Sequence, residues 1–342
     1  MNATLARPAV VSQVSDLIGC TPLLELATTE TGSRLLLKLE IFNPTGTAKI
    51  RMARAMVDAA EQSGELRPGG RIIESTSGNT GLGLAVIAAE RGYTFTAVVD
   101  HHAAADKLRA MKALGTELVY VVDDGTEELA TAAREELAAD MARGQDNTIF
   151  TEQHNNPANG VGYFPVAHEL NAALDGNLDF LVGAVGTGGG LCGTARELRT
   201  LIPGFSTIGV EPKGSIAFGG PAHDYYQSGT GTPEGAELGA LVDFDLIDEG
   251  VKVGDVEAFA TCRAVARTGL LIGGSAGGVV HEALTRLPSL PPGTTMVALV
   301  NDGGEKYMDT VFNDDWMQAR GLLDPDTEQE IDELLTKLRR NR

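Results

Sequence analysis

The chain is short of aromatic residues, at 5%, and short of positive charge, with 27 Lys and Arg against 47 Asp and Glu. Its net charge of −20 repels phosphate backbones and anionic bilayers, which argues against nucleic acid as a partner. Cysteine is scarce: Cys20, Cys192 and Cys262 lie far apart and show no metal spacing. An odd count without a CxxC pair argues against a disulfide framework and fits a reducing compartment. No run reaches the roughly 18 apolar residues a membrane span needs. The opening "MNATLARPAVVSQVSDLIGC" lacks the apolar core of a signal peptide. A cytoplasmic protein without a membrane partner is expected. Internal repeats and low-complexity runs are also missing.

Glycine, at 42 residues, and a hydrophobic share of 43% suit an α/β enzyme. A length of 342 residues exceeds one small core, so two lobes or one large α/β unit are expected. Strand and helix patterns alternate. "RLLLKLE", "RIIEST", "TFTAVVD", "ELVYVV", "LDFLVGAV", "STIGVEP" and "TTMVALVND" read as strands. "AKIRMARAMVDAAEQSGEL", ended by "RPGG", reads as a helix, as do "SGNTGLGLAVIAAERG", "AADKLRAMKALG", "GTEELATAAREELAADMARG", "GYFPVAHELNAAL", "LCGTARELRTL" and "VGDVEAFATCRAVARTG". This rhythm predicts parallel sheets with helices on both faces. The Gly- and Pro-rich stretch from about 212 to 250 breaks it, and loops of that length tend to be functional. The tail "DPDTEQEIDELLTKLRRNR" predicts an amphipathic helix with Ile331, Leu334, Leu335 and Leu338 on one face, packed on its own domain or on a second subunit.

Chemistry concentrates in three loops and one lysine. Lys49 is framed by Thr45, Gly46, Thr47 and Ala48, which leaves space beside its amine. "STSGNTG", Ser75 to Gly81, opens a helix; a cap needs one hydroxyl or amide, and this loop supplies several, as a carboxylate site would. "GTGGG", Gly186 to Gly190, lies between a buried strand and a helix, where glycines let a backbone wrap a phosphate. "GGSAGG" heads another helix with Ser275 at its centre; close helix–sheet packing explains its glycines better than its serine. Gly188, Gly190 and Gly193 also spell G-x-G-x-x-G, with Glu211 18 residues beyond, an imitation of a dinucleotide fingerprint. That reading leaves Lys49 and the Ser75 loop unexplained. A lysine, a carboxylate loop, a phosphate loop and a lone hydroxyl together match the needs of pyridoxal phosphate.

The sequence resembles the fold-type II pyridoxal-phosphate enzymes, and within them the cysteine synthase and cystathionine β-synthase family. "NPTGTAK", "TSGNTG", "QHNNPAN", "VGTGGGLCGTARELR", "IGVEPKGS" and "LLIGGSAGG" carry the resemblance, from "IGCTPLLEL" near 18 to "NDGGEKYMDTVFNDDWM" near 317. It implies a two-lobed α/β fold with parallel-rich sheets flanked by helices and only the catalytic core of the family. The expected division is a smaller mobile lobe at 50–160, a larger cofactor lobe at 1–49 plus 161–315, and a helical tail at 316–342. A homodimer is implied, with a small amino-acid substrate, a small nucleophile, pyridoxal 5'-phosphate as cofactor and no metal.

By the same resemblance, Lys49 carries the Schiff base and moves the proton at Cα, and Asn79 bonds the ring hydroxyl. Thr76, Ser77, Thr80 and Gln153 hold the substrate carboxylate. Gly186, Thr187, Gly188 and Gly189 bind the phosphate, with Gly190 where the family often has Thr. Ser275 faces the pyridine nitrogen; a hydroxyl there does not hold that nitrogen protonated, which favours β-elimination chemistry over transamination. The implied reaction is β-replacement on a serine-type amino acid through an aminoacrylate, by a transferase or lyase giving cysteine, cystathionine or a diaminopropionate-type product. Net elimination, a non-catalytic binding protein and the dinucleotide reading are the alternatives. "DHHAAAD", with His101 and His102, and the stretch from Gly229 to Leu238 depart from the family pattern, so substrate choice is expected there. Neither stretch contains arginine. Lys107 and the two histidines are the cations at hand, which favours a neutral leaving group over phosphate.

Overall fold

A computed structural model describes residues 10–100, 105–121 and 131–339. In chain order the strands and helices are β1 (Leu23–Thr28), β2 (Arg34–Leu39), α1 (Lys49–Ser63), β3 (Arg71–Ser75), α2 (Asn79–Arg91), β4 (Thr94–Val99), α3 (Ala105–Ala113), β5 (Glu117–Tyr120), α4 (Thr131–Ala142), β6 (Thr148–Phe150), α5 (Pro157–Val161), α6 (Phe164–Leu174), β7 (Phe180–Ala184), α7 (Gly189–Leu201), β8 (Ser206–Pro212), β9 (Glu249–Val253), α8 (Asp255–Ala266), α9 (Gly274–Arg286), β10 (Thr295–Val300), α10 (Asp314–Ala319) and α11 (Pro325–Arg339). They build two sheets. One has the order β1-β2-β10-β7-β8-β9, the other β5-β4-β3-β6. Among the described residues, every pairing between these strands is parallel except the β1–β2 hairpin.

The larger sheet is covered on both faces, and its strands divide their side chains by the two-residue period. Leu36, Val297 and Leu299 join a core with α1, α6 and α7. Leu35, Leu37, Met296, Ala298 and Val300 join the opposite core with α8, α9 and α11. The tail helix therefore packs on its own chain: Ile331, Leu335 and Leu338 are buried, while Leu334 packs at the edge of that core. Arg263 of α8 and Arg267 at its C-cap pair with Glu328 of α11.

The structure departs from the sequence reading at weak signals. α1 stops at Gly64, in the left-handed conformation, before "RPGG" is reached. β1, β9, the three-residue β6 and the five-residue α5 carry too little pattern to stand out. The segment after β8 is anchored by Glu211, which is 0% exposed and accepts from Ser215 Oγ and from the N–H groups of Ala217 and Phe218.

A buried ion network lies behind α1. The Arg51 guanidinium reaches Glu40 through Nε at 2.6 Å and Glu169 through Nη1 at 2.9 Å. Lys38 Nζ lies 2.5 Å from Glu169 Oε2. All four side chains are buried. The network ties β2, α1 and α6 together two residues after Lys49.

Candidate active site

The loops at Lys49, Ser75 and Gly186 follow the C-terminal ends of strands β2, β3 and β7 and enter helix N-termini, the usual ligand edge of such sheets, whereas the Ser275 loop joins α8 to α9. Lys49 is the first residue of α1. Its loop is held from the β10 end: Ala48 N donates to Asn301 O at 2.8 Å, and Thr47 forms a β-bridge with Asp302. Burial lowers the proton affinity of the Lys49 amine, and the Asp302 carboxylate partly opposes that shift. An amine readied in this way can act as a nucleophile.

Asn79 begins α2, and its Nδ2 donates to Asp302 Oδ2 at 2.8 Å. Thr76 Oγ1 accepts from Gly81 N in the first turn of α2 at 3.0 Å and still has its hydroxyl proton to give. Thr80 Oγ1 donates to Gln153 Oε1 at 2.7 Å. Ser77 Oγ accepts from Arg134 Nη1 at 3.3 Å. Gln153 is placed by its backbone N–H on Glu74 Oε2 at 3.3 Å and by its Nε2 on Ser75 O at 3.3 Å.

The glycine loop runs from Gly186 into α7. Gly188 caps that helix at φ +84°, and an added Cβ would lie 2.6 Å from the Leu241 backbone, so only glycine fits. Thr187 Oγ1 accepts from Gly189 N and from Asn159 Nδ2, both at 3.3 Å. Asn159 Nδ2 also donates to Gln153 O at 2.7 Å, which links the glycine loop to the Gln153 side of the site. Gly190 closes the loop by accepting from Thr194 Oγ1 at 2.7 Å. Thr230 Oγ1 and Gly231 N each donate to Val185 O at 2.8 Å, so the start of the divergent 229–238 stretch braces this loop from behind.

Ser275 is buried in the first turn of α9. Gly273 just before it donates its N–H to Asp302 O at 3.1 Å. The packing explanation of the neighbouring glycines also holds: Gly277 lies against Ala258 O and Cys262 Sγ of α8.

Several of the sequence-predicted residues thus meet at two hubs. Asp302 touches the Lys49 loop, Asn79 and Gly273 in the loop leading to Ser275. Asn159 touches Thr187 and Gln153, and through Gln153 reaches Thr80. Each hub holds one buried acceptor, Asp302 Oδ1 and Asn159 Oδ1, with no hydrogen-bond partner among the described residues. Buried orphans of this kind call for a ligand or bound water. Together with a glycine cradle at a helix N-terminus and a readied amine, they fit a flat phosphorylated aldehyde such as pyridoxal phosphate.

Neither hub was singled out by sequence reading, although "NDGGEKY" and "QHNNPAN" contain them. Also missed were Glu74, whose carboxyl burial pushes up to about 8 despite a bond from the Thr151 hydroxyl, and the cations Arg134 and Lys306. Only tertiary packing shows them. His101 and His102 lie outside the described residues. The dinucleotide alternative is overturned. Glu211, its ribose acid, is enclosed and also pairs with Lys252 at 3.0 Å. Gly193, its last glycine, packs α7 against the Gly160 backbone of α5. Among the described residues, no helix is long and apolar enough to cross a membrane.

Residues 14–302 match the family model described as "Pyridoxal-phosphate dependent enzyme". A "Putative cysteine synthase" of Sinorhizobium fredii is 50% identical over 321 residues, 93% of this chain and 96% of that protein. The cystathionine β-synthase of Oryctolagus cuniculus is 34% identical over 94% of this chain, which spans 60% of that longer protein. The crystal structure of cysteine synthase from Entamoeba histolytica superposes with a TM-score of 0.83 at 29% identity, covering 97% of both chains. The chain belongs to the pyridoxal-phosphate dependent enzymes, in the cysteine synthase and cystathionine β-synthase family, and catalyses β-replacement on serine-type amino acids.

Proposed function

We propose that the enzyme joins a serine-type donor carrying a neutral leaving group to a small nucleophile, with Lys49 as the proton carrier. The observation behind this reading is the meeting of the Lys49 loop, Asn79 and the loop before Ser275 on Asp302. Pyridoxal phosphate, held by these residues, would supply an electron sink for the charge left at Cα. Lys49 removes the Cα proton, the leaving group departs from Cβ, the nucleophile adds at Cβ, and Lys49 returns the proton to Cα. Asn79 bonds the ring hydroxyl, the Gly186–Gly190 loop and Thr187 hold the phosphate, and Ser275 faces the ring nitrogen. Thr76, Ser77, Thr80 and Gln153 receive the substrate carboxylate through hydroxyl, amide and first-turn N–H donors.

The preference for a neutral leaving group rests on committed cations. Lys306 Nζ spends its three donors on Thr45 O at 3.0 Å, Gly46 O at 3.1 Å and Asn79 Oδ1 at 3.5 Å. Arg134 Nε lies 3.3 Å from Asp100 Oδ2. A doubly charged phosphate wants a bidentate cation in a dry pocket. Competition at pH 7 among serine, O-acetylserine, O-phosphoserine and cysteine should give the highest kcat/KM to a donor losing hydroxyl, acetate or thiol. The highest value for O-phosphoserine would overturn this preference.

Ser275→Asp should place a carboxylate at the ring nitrogen and keep it protonated. Turnover is expected to fall roughly tenfold or more, about 1.4 kcal/mol in the barrier, with a new long-wavelength absorbance in the presence of substrate. Unchanged kinetics and spectra would leave Ser275 a packing residue only.

A further inference from the structure

The Asn79 amide is held between opposite charges. Its Nδ2 donates to Asp302 Oδ2 at 2.8 Å, and its Oδ1 lies 3.5 Å from Lys306 Nζ. The two ends of an amide are nearly the same in shape and differ only in hydrogen-bond polarity. A flipped amide would turn its oxygen toward a carboxylate and its NH₂ toward an ammonium. Both contacts repel, so the charges select one orientation.

Both charged groups are themselves fixed. Asp302 is 2% exposed. Its Oδ2 also accepts from Tyr307 OH at 2.7 Å, and its backbone bridges to Thr47 and accepts from Gly273 N. Tyr307 stays a donor, because burial and the Asp302 charge hold its phenol well above the usual range. Lys306 is held by the carbonyls of Thr45 and Gly46, in the loop that leads to Lys49. Asn79 Nδ2 has two hydrogens. One goes to Asp302, and the other has no acceptor among the described residues.

We infer that Asp302 and Lys306 form a positioning pair that orients the Asn79 amide so that its remaining N–H meets the cofactor's ring hydroxyl. The pair acts through Asn79 and joins no bond-making step. This inference rests on the proposed contact between Asn79 and that hydroxyl. The Asn79–Asp302 bond joins the two sheets, since Asn79 follows β3 of the smaller and Asp302 follows β10 of the larger.

The test is a ratio of affinities. Equilibrium dissociation constants are measured on the full chain for pyridoxal 5'-phosphate and for its 3-deoxy analogue, which lacks the ring hydroxyl. A variant that only loosens the fold weakens both ligands alike and leaves their ratio alone. Asn79→Ala should shrink the wild-type ratio by about tenfold, as expected for one hydrogen bond to a charged partner. Asp302→Ala and Lys306→Met should each shrink it by at least about fivefold toward the Asn79→Ala value. Asp302→Asn keeps an acceptor of the same shape and should recover part of the ratio. Asp302→Ala and Lys306→Met proteins that retain the wild-type ratio would overturn the inference. If Asp302→Ala fails to fold, Lys306→Met decides by the same measure. A ratio unchanged in Asn79→Ala would instead overturn the placement of Asn79 at the hydroxyl, a separate result.

Discussion

Replacing Lys49 with alanine is expected to lower turnover by roughly four orders of magnitude or more, because under the proposed assignment one amine both anchors the cofactor and shuttles the Cα proton. Lys306, whose amine contacts the loop leading to Lys49, is engaged by Thr45 O, Gly46 O and Asn79 Oδ1, so it cannot swing in without breaking three contacts. The glycine loop and Thr187 do not depend on Lys49, so the variant should still bind pyridoxal phosphate, weakly and reversibly. Two measurements separate the roles: steady-state turnover with the best donor, and dialysis of the bound cofactor. Turnover near the wild-type rate would remove the central assignment.

The largest expected effect on stability comes from Arg51→Met. Arg51 is 3% exposed and bonds Glu40 through Nε at 2.6 Å and Nη2 at 2.9 Å, and Glu169 through Nη1 at 2.9 Å and Nη2 at 3.0 Å. Removing it leaves two buried carboxylates without their main cation, which costs about 3–5 kcal/mol when a buried pair is broken from one side. Burial alone would raise the Glu169 pKa; Arg51 and Lys38 outweigh it and hold the group down at about 2, against 4.5 for the free side chain. A depressed carboxyl stabilises the fold fully above its unfolded pKa. That contribution is lost as pH falls from 4.5 toward about 2. In Arg51→Met the acid limb of the stability curve should therefore move to higher pH. Urea unfolding at pH 7 and thermal unfolding between pH 7 and pH 3 check both statements. An unchanged urea midpoint would mean that the network contributes nothing net.

The parts of this structure visible in the sequence are those with a repeating pattern or a dense motif. The seven apolar strands, the helices between them and the placement of the loops at Lys49, Asn79 and Gly186–Gly190 at helix starts were legible. Parallel strands covered on both faces must be apolar throughout, and ligand loops concentrate small residues. Asp302, Asn159 and Arg51 were not legible for the opposite reason. Each is one polar residue in an ordinary setting, and its role depends on partners far away in the chain, such as Asn79 for Asp302 or Glu169 for Arg51. The decoy at Gly188, Gly190 and Gly193 failed on the same principle. Its spacing was right, but the local need at Gly193 was close helix packing, and Glu211 was consumed by its own neighbours.

Thr76, Ser77, Asn79 and Thr80 leave β3 and Gln153 follows β6, both in the smaller sheet, whereas Lys49, Thr187 and Asp302 follow β2, β7 and β10 of the larger one. Under the proposed assignment, the carboxylate and the amine of a single amino acid are thus received by different sheets. The distance between those two groups is set by covalent bonds at Cα and is the same in every α-amino acid. Such a substrate acts as a gauge block between the sheets: it fits at one spacing, whatever its side chain. A β-amino acid of the same charge is one carbon too long for that spacing. The scaffold therefore grades its ligands by backbone length first, and leaves the choice among serine, its esters and cysteine to whatever lines the space beyond Cβ.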